Sequence, residues 1–204
     1  MPTYILEDLT PEMALQIWTS GRCAVDTETS GLHWERDRLE ICQVFSPHTG
    51  PVIVRNTGST PPRLAAVLES RDVLSVFHYA PFDLRFLEAA WGIRAQMVRC
   101  TKTASRVQSP YLKAREHSLA PLLLRTLGIG LDKGAVRTSD WSAETLSSEQ
   151  VDYAIGDVLH LLDLHDELTR DFTDDQHALY RAMCDYMPAN AHRELLQIPD
   201  PFTY

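Results

Sequence analysis

Basic residues are in short supply. The 204-residue chain carries 19 Lys and Arg against 28 Asp and Glu, a formal charge of −9. Proteins that coat long nucleic acid are usually basic, so the balance argues against that class. No apolar run approaches the ~20 residues a membrane-spanning helix needs. Only 9 Gly and 12 Pro are present, too few for a low-complexity or fibrous chain. The four cysteines, Cys23, Cys42, Cys100 and Cys184, form no C-x-x-C pair, which removes both a zinc site and a disulfide framework. The opening MPTYILEDLTPEM lacks the basic-then-apolar order of a signal peptide. The expectation is a reducing, cytoplasmic setting with buried thiols.

What remains is a globular composition, 44% hydrophobic and 23% charged, with its charge spread unevenly. Between Arg99 and Arg137 stand eight basic residues and two acids, a local +6 that leaves −15 elsewhere. The first third reads as β-rich: Cys23–Glu28, Leu39–Ser46 and Pro51–Arg55 are short, apolar and separated by turn residues, a pattern that predicts an antiparallel meander. Helix Pro61–Ser70, strand Val73–Tyr79 and helix Pro81–Trp91, the last ended by Gly92, continue as α/β layers. Helices follow at Thr101–Gln108 and His117–Leu127. A glycine-containing loop covers Gly128–Trp141, and one long helix is expected over Ser147–Phe172. Asp174–Gln197 reads as helix interrupted near Pro188, and Ile198–Tyr204 as extended. The expected domain boundaries are 1–173 for a catalytic α/β domain and 174–204 for a C-terminal helical extension packed on it.

Three segments carry chemistry. In Ala24-Val25-Asp26-Thr27-Glu28-Thr29, strand alternation turns Asp26 and Glu28 to one face. Paired carboxylates at the end of a buried strand repel unless a cation neutralises them, and hard Mg²⁺ or Mn²⁺ prefers such oxygens. In Phe77-His78-Tyr79-Ala80-Pro81-Phe82-Asp83 a buried strand runs into a helix whose first turn holds Asp83, a position that favours a carboxylate. In Tyr153-Ala154-Ile155-Gly156-Asp157 the tyrosine and aspartate lie one helical turn apart on one face. Each segment alone has a plain structural explanation: exposed acids beside a turn, a helix-start acid with a core histidine, and a surface Tyr–Asp pair.

Taken together, Asp26, Glu28, Asp83, Tyr153 and Asp157 arrive in the order and spacing of the DEDD exonuclease superfamily, Tyr subgroup. The sequence resembles that superfamily in VDTETSGL, FHYAPFDLRFL and YAIGDVLHLL, over roughly Cys23 to Leu168. The connecting segments around His117–Gly128, Leu131-Asp132-Lys133 and Ser139-Asp140-Trp141 look like those of RNase D-type enzymes. Arg36-Asp37-Arg38-Leu39, Val98–Lys102 and Tyr186–Asn190 extend the likeness, nearly end to end, to the nano-RNase C family of bacterial oligoribonucleases.

The resemblance implies an RNase H-like α/β fold with a mixed central sheet, and a metal-dependent 3′-5′ exoribonuclease releasing nucleoside 5′-monophosphates. It implies two divalent cations, Mg²⁺ or Mn²⁺, held by Asp26, Glu28, Asp83 and Asp157, with Tyr153 orienting the attacking water. Tyr is a poor base near neutrality, so orientation is the role assigned. Substrate contacts implied by similarity are Thr29 and Leu32 at the terminal nucleotide, with Leu32 as a wedge between bases, and His78 and Phe82 at its sugar and base. Trp141 suits either base stacking or core packing. Short single-stranded RNA down to dinucleotides is the expected partner, and a homo-oligomer, a ring-like octamer in that family, the expected assembly. The rivals are general RNase D-like trimming of RNA, a DNA exonuclease, and a catalytically dead nucleic-acid-binding module. The last is disfavoured because all four acids and Tyr153 are present.

Overall fold

The computed structural model describes residues 3–131 and 139–203. Strands β1 (Tyr4–Leu6), β2 (Arg22–Thr29), β3 (Leu39–Ser46), β4 (Gly50–Arg55), β5 (Leu74–Phe77) and β6 (Val98–Cys100) form one sheet in the order β1-β4-β3-β2-β5-β6. Pairings β2–β3 and β3–β4 are antiparallel, which is the expected meander. Pairings β1–β4, β2–β5 and β5–β6 are parallel. The sheet is therefore mixed, with β2 near its centre.

Helices α1 (Pro11–Ser20), α2 (Pro62–Leu68), α3 (Pro81–Trp91), α4 (Thr101–Gln108), α5 (Leu119–Leu127), α6 (Ser148–Leu159), α7 (Leu161–Thr169) and α8 (Asp174–Leu195) cover it, with a 3₁₀ turn at Ala114–His117. Helix α1 escaped the apolar-pattern reading, yet its ends are written in the sequence. Thr10 Oγ1 accepts from the Met13 N–H, Pro11 opens the helix, and Gly21 closes it at φ 66°, a conformation that favours glycine. Strands β1 and β6 also went unanticipated, being three residues long.

Four expectations need correction. The long helix breaks at His160 (φ −112°, ψ 5°) into α6 and α7. Helix α8 runs unbroken through Pro188. Proline in a helix interior costs ~3 kcal/mol, and here the helix is pinned on both sides of it by buried Tyr180, Cys184 and Ala191. The tail after α8 turns back, so that Phe202 meets Tyr186 edge-on with ring centroids 5.7 Å apart. From sequence, Trp18 and Trp91 both read as core residues; Trp91 is buried, whereas Trp18 is 39% exposed.

All four cysteines are free and buried. Burial pushes the Cys23 and Cys184 thiols up to about 12, so neither is a nucleophile at neutral pH. Helix α8 belongs to the main core through Tyr180, whose hydroxyl sits 3.1 Å from the Cys100 N–H and accepts from it. Ion pairs Arg99–Asp185 (2.9 Å) and Arg85–Glu194 (2.9 Å) tie α8 to β6 and α3. Arg99 is thus a buried structural residue and not part of an open basic surface. Lys133, Arg137 and the Asp132–Thr138 portion of the expected loop lie outside the described residues. Among the described residues, no helix is long and apolar enough to cross a membrane.

Candidate active site

The site forms where β2 leaves the sheet. Asp26 and Glu28 project from one face of β2, which shifts register against β3 between Glu28 and Thr29. Helix α6 lies across β2, β3 and β4 and delivers Tyr153 and Asp157. Its start is fixed by a reciprocal cap. Ser147 Oγ accepts from the Gln150 N–H (3.2 Å), and Gln150 Oε1 accepts from the Ser147 N–H (2.9 Å). Such boxes satisfy donors that a helix start leaves unpaired. Helix α3, opened by Pro81, contributes Asp83 from its first turn.

These elements enclose a cavity of about 610 Å³. All ten residues singled out from sequence line it: Asp26, Glu28, Thr29, Leu32, His78, Phe82, Asp83, Trp141, Tyr153 and Asp157. Asp26, Glu28 and Asp157 each place a carboxylate oxygen within 4.8 Å of the other two. That spread suits one hard divalent cation bound through oxygen. Asp157 is buried, and Asp26 and Glu28 are half-buried.

Asp83 stands beside this trio. It is 2% exposed and accepts from Thr27 Oγ1 at 2.8 Å. Burial pushes its carboxyl up to about 7. The hydrogen bond from Thr27 works against that rise, and the charge of Asp157 adds to it. Four acids so arranged, one of them retaining a proton near neutrality, fit a site that takes up divalent cations in exchange for protons.

Around the acids, Leu32 projects at 72% exposure from a cinched loop. Ser30 N–H donates to the Arg38 carbonyl (2.9 Å), and the Arg38 N–H returns to Ser30 Oγ (2.8 Å). Phe82 packs on Phe86 with centroids 4.9 Å apart. Trp141 is 3% exposed and packs with Ile41, Ile53, Leu146 and Ala154, its ring 5.9 Å from that of Tyr153.

Several lining residues were not picked out from sequence. Thr27 alternates away from Asp26 and Glu28, and only the docking of α3 brings Asp83 to it. Tyr79 adopts φ 70°, rare for a non-glycine residue, and Lys102 Nζ lies 4.2 Å from its ring centroid. Glu40, buried on β3, and Arg38 also line the cavity. No spacing rule marks any of these four.

Fold and site together define an α/β nuclease of the metal–carboxylate kind. Residues 7–173 match the 3′-5′ exonuclease family, and the chain belongs to it, as a DEDD-type exonuclease related to RNase D and NrnC. The structure of NrnC from Brucella melitensis superposes with a TM-score of 0.89 at 31% identity, over 100% of this chain and 99% of that one. The same protein bound to pGG gives 0.88 at 31% identity over 100% and 99%. With bound Mg²⁺ it gives 0.83 at 30% over 100% of each chain. Ribonuclease D of Sphingobium indicum is 30% identical over 155 residues, which is 75% of this chain but 39% of that protein. The matched stretch thus covers well under half of this curated relative.

Proposed function

We propose that the protein is a 3′-5′ exoribonuclease of the Tyr subgroup that degrades short oligoribonucleotides, down to dinucleotides, to nucleoside 5′-monophosphates. One observation carries this reading: Asp26, Glu28, Asp83, Asp157 and Tyr153, distant in sequence, line a single cavity. The relation to NrnC, whose structure holds pGG, supports the short substrate.

Asp26, Glu28 and Asp157 are assigned to a first divalent cation, and Asp26 with Asp83 to a second, Mg²⁺ or Mn²⁺. When bound, the cations lower the pKa of water at the site and offset charge on the phosphate and leaving oxygen. The chain's own groups do the rest. Thr27 Oγ1, by donating to Asp83, stabilises its ionised form and fixes its orientation. Tyr153 directs its hydroxyl to the attacking water, and Trp141 fixes the Tyr153 ring from behind instead of stacking on a base. Leu32 separates the last two bases, and Phe82 offers an apolar floor. His78 and the Thr29 turn meet the terminal sugar.

Whole-molecule charge favours short substrates. Two divalent cations bring −9 only to −5, and affinity for long nucleic acid is dominated by phosphate neutralisation. The test is Mg²⁺- or Mn²⁺-dependent turnover of 5′-labelled RNA and DNA of two, about seven and about 24 nucleotides. Dinucleotide RNA should turn over fastest and yield 5′-monophosphates. Equal or faster turnover of the longest RNA points to RNase D-like trimming, and preference for deoxy substrates to a DNA exonuclease. Self-association is proposed as well, through the outer face of α8.

A further inference from the structure

The parallel pairing of β5 with β6 puts Phe77 beside Cys100, so the next residues on each strand, His78 and Thr101, emerge side by side. Thr101 is fully buried at the start of α4. Its place is held from behind by Tyr180, whose hydroxyl caps the Cys100 N–H. Thr101 Oγ1 makes two hydrogen bonds. It lies 3.2 Å from the Phe77 carbonyl oxygen and 2.9 Å from His78 Nδ1.

A hydroxyl has one proton to give, and a carbonyl oxygen can only accept. The proton of Thr101 is therefore committed to Phe77. Oγ1 can then only accept from His78, so Nδ1 must carry the ring proton. We infer that Thr101 is a positioning residue that holds His78 in the Nδ1–H tautomer and so leaves Nε2 with a lone pair. His78 lines the cavity while its Nδ1 is bonded to the buried Thr101 hydroxyl. An unprotonated Nε2 accepts a hydrogen bond and cannot donate one. It therefore recognises a hydroxyl, which a nucleotide carries on its sugar, and not a phosphate oxygen. This substrate role rests on the nuclease reading above, whereas the tautomer does not.

The test separates the two. Nitrogen NMR of ring-labelled histidine at about pH 8, above the ordinary imidazole pKa, reads the protonation of each ring nitrogen. His78 is assigned by the signal missing in His78→Asn. The expected spectrum has a proton on Nδ1 alone. A proton on Nε2 alone, or on both nitrogens, overturns the inference whether or not the protein degrades RNA.

Thr101→Ser keeps the hydroxyl and should keep both tautomer and kinetics. Thr101→Val keeps the shape and removes the hydroxyl. It should lose the fixed Nδ1–H signal and raise KM for pGG by about tenfold, with kcat changed less than about threefold. A Val variant that keeps the signal and the KM, or a Ser variant that loses them, also overturns it. A correct tautomer in a protein that leaves RNA intact would count against the nuclease reading alone.

Discussion

Asp83 titrates where it does because it is buried, and that has a consequence measurable without substrate. An unfolded aspartate loses its proton near 3.9, whereas the native one keeps it up to about 7. Between those values the native state binds a proton that the unfolded state does not, so stability falls as pH rises. The contribution is intact below pH ~4 and fully lost above pH ~7, a difference of about 4 kcal/mol. Of this, about 2.6 kcal/mol falls between pH 5 and pH 8, so cation-free protein should melt about 8 °C lower at pH 8 than at pH 5 on account of this residue. Asp83→Asn should flatten that slope in thermal melts in chelator, while lowering turnover by at least about 100-fold. A variant with the wild-type slope would show that Asp83 titrates normally. The residues legible in the sequence were those whose chemistry repeats at fixed spacing: two acids two apart on a strand, an acid at a helix start, and a Tyr four before an Asp. Thr27 was illegible because its partner comes from a helix more than fifty residues away, and Tyr79 because nothing in its identity announces a left-handed backbone.

At the scale of elements, the site depends on how helix and loop ends are tied. Ser147 starts α6, and Tyr153 and Asp157 lie one and a half to three turns beyond it. Replacing Ser147 with Ala removes the side-chain acceptor for the Gln150 N–H. That should cost about 1 kcal/mol, or about 3 °C in melting temperature, with turnover reduced several-fold. An unchanged melting temperature would mean the cap is dispensable. The loop carrying Leu32 is more exacting. A Cβ at Gly31 would stand 2.2 Å from Asp37 Oδ2, the same carboxylate oxygen that accepts from the His33 N–H at 2.8 Å. Gly31→Ala should push Asp37 off that bond and displace Leu32. KM should rise about tenfold with little change in stability, since the loop is exposed; wild-type KM would show that the loop adjusts freely. The strand meander and most helices were readable because apolar period and turn residues agree. Strands β1 and β6 were not, since three residues hold too little pattern. The break at His160 was hidden because the apolar stripe of α6 continues into α7, and only the packing of the two helices separates them.

At the scale of the whole molecule, helix α8 carries an apolar stripe that the single chain leaves uncovered among the described residues. Leu179, Met183 and Tyr186 on α8 are 55%, 44% and 40% exposed, and their spacing of four and three places them in one stripe. Phe202 extends it by packing on Tyr186. Apolar stripes left open on a soluble surface commonly mark association, and a second copy of the chain is the occupant proposed here. Removing α8 would be a poor test, because Tyr180, Cys184 and Ala191 from the same helix complete the core. The combined variant Leu179→Glu with Met183→Glu alters only the outward side. By light scattering it should fall from a multimer, eight copies if a ring forms, to a smaller species, with a melting temperature within a few degrees of the unassociated wild type. Retention of the full mass would place the interface elsewhere. Because one chain supplies Asp26, Glu28, Asp83, Asp157 and Tyr153 to its own cavity, the dissociated variant should still cleave phosphodiesters. Any activity lost with the assembly must then lie in substrate capture, and should appear in KM and not in kcat.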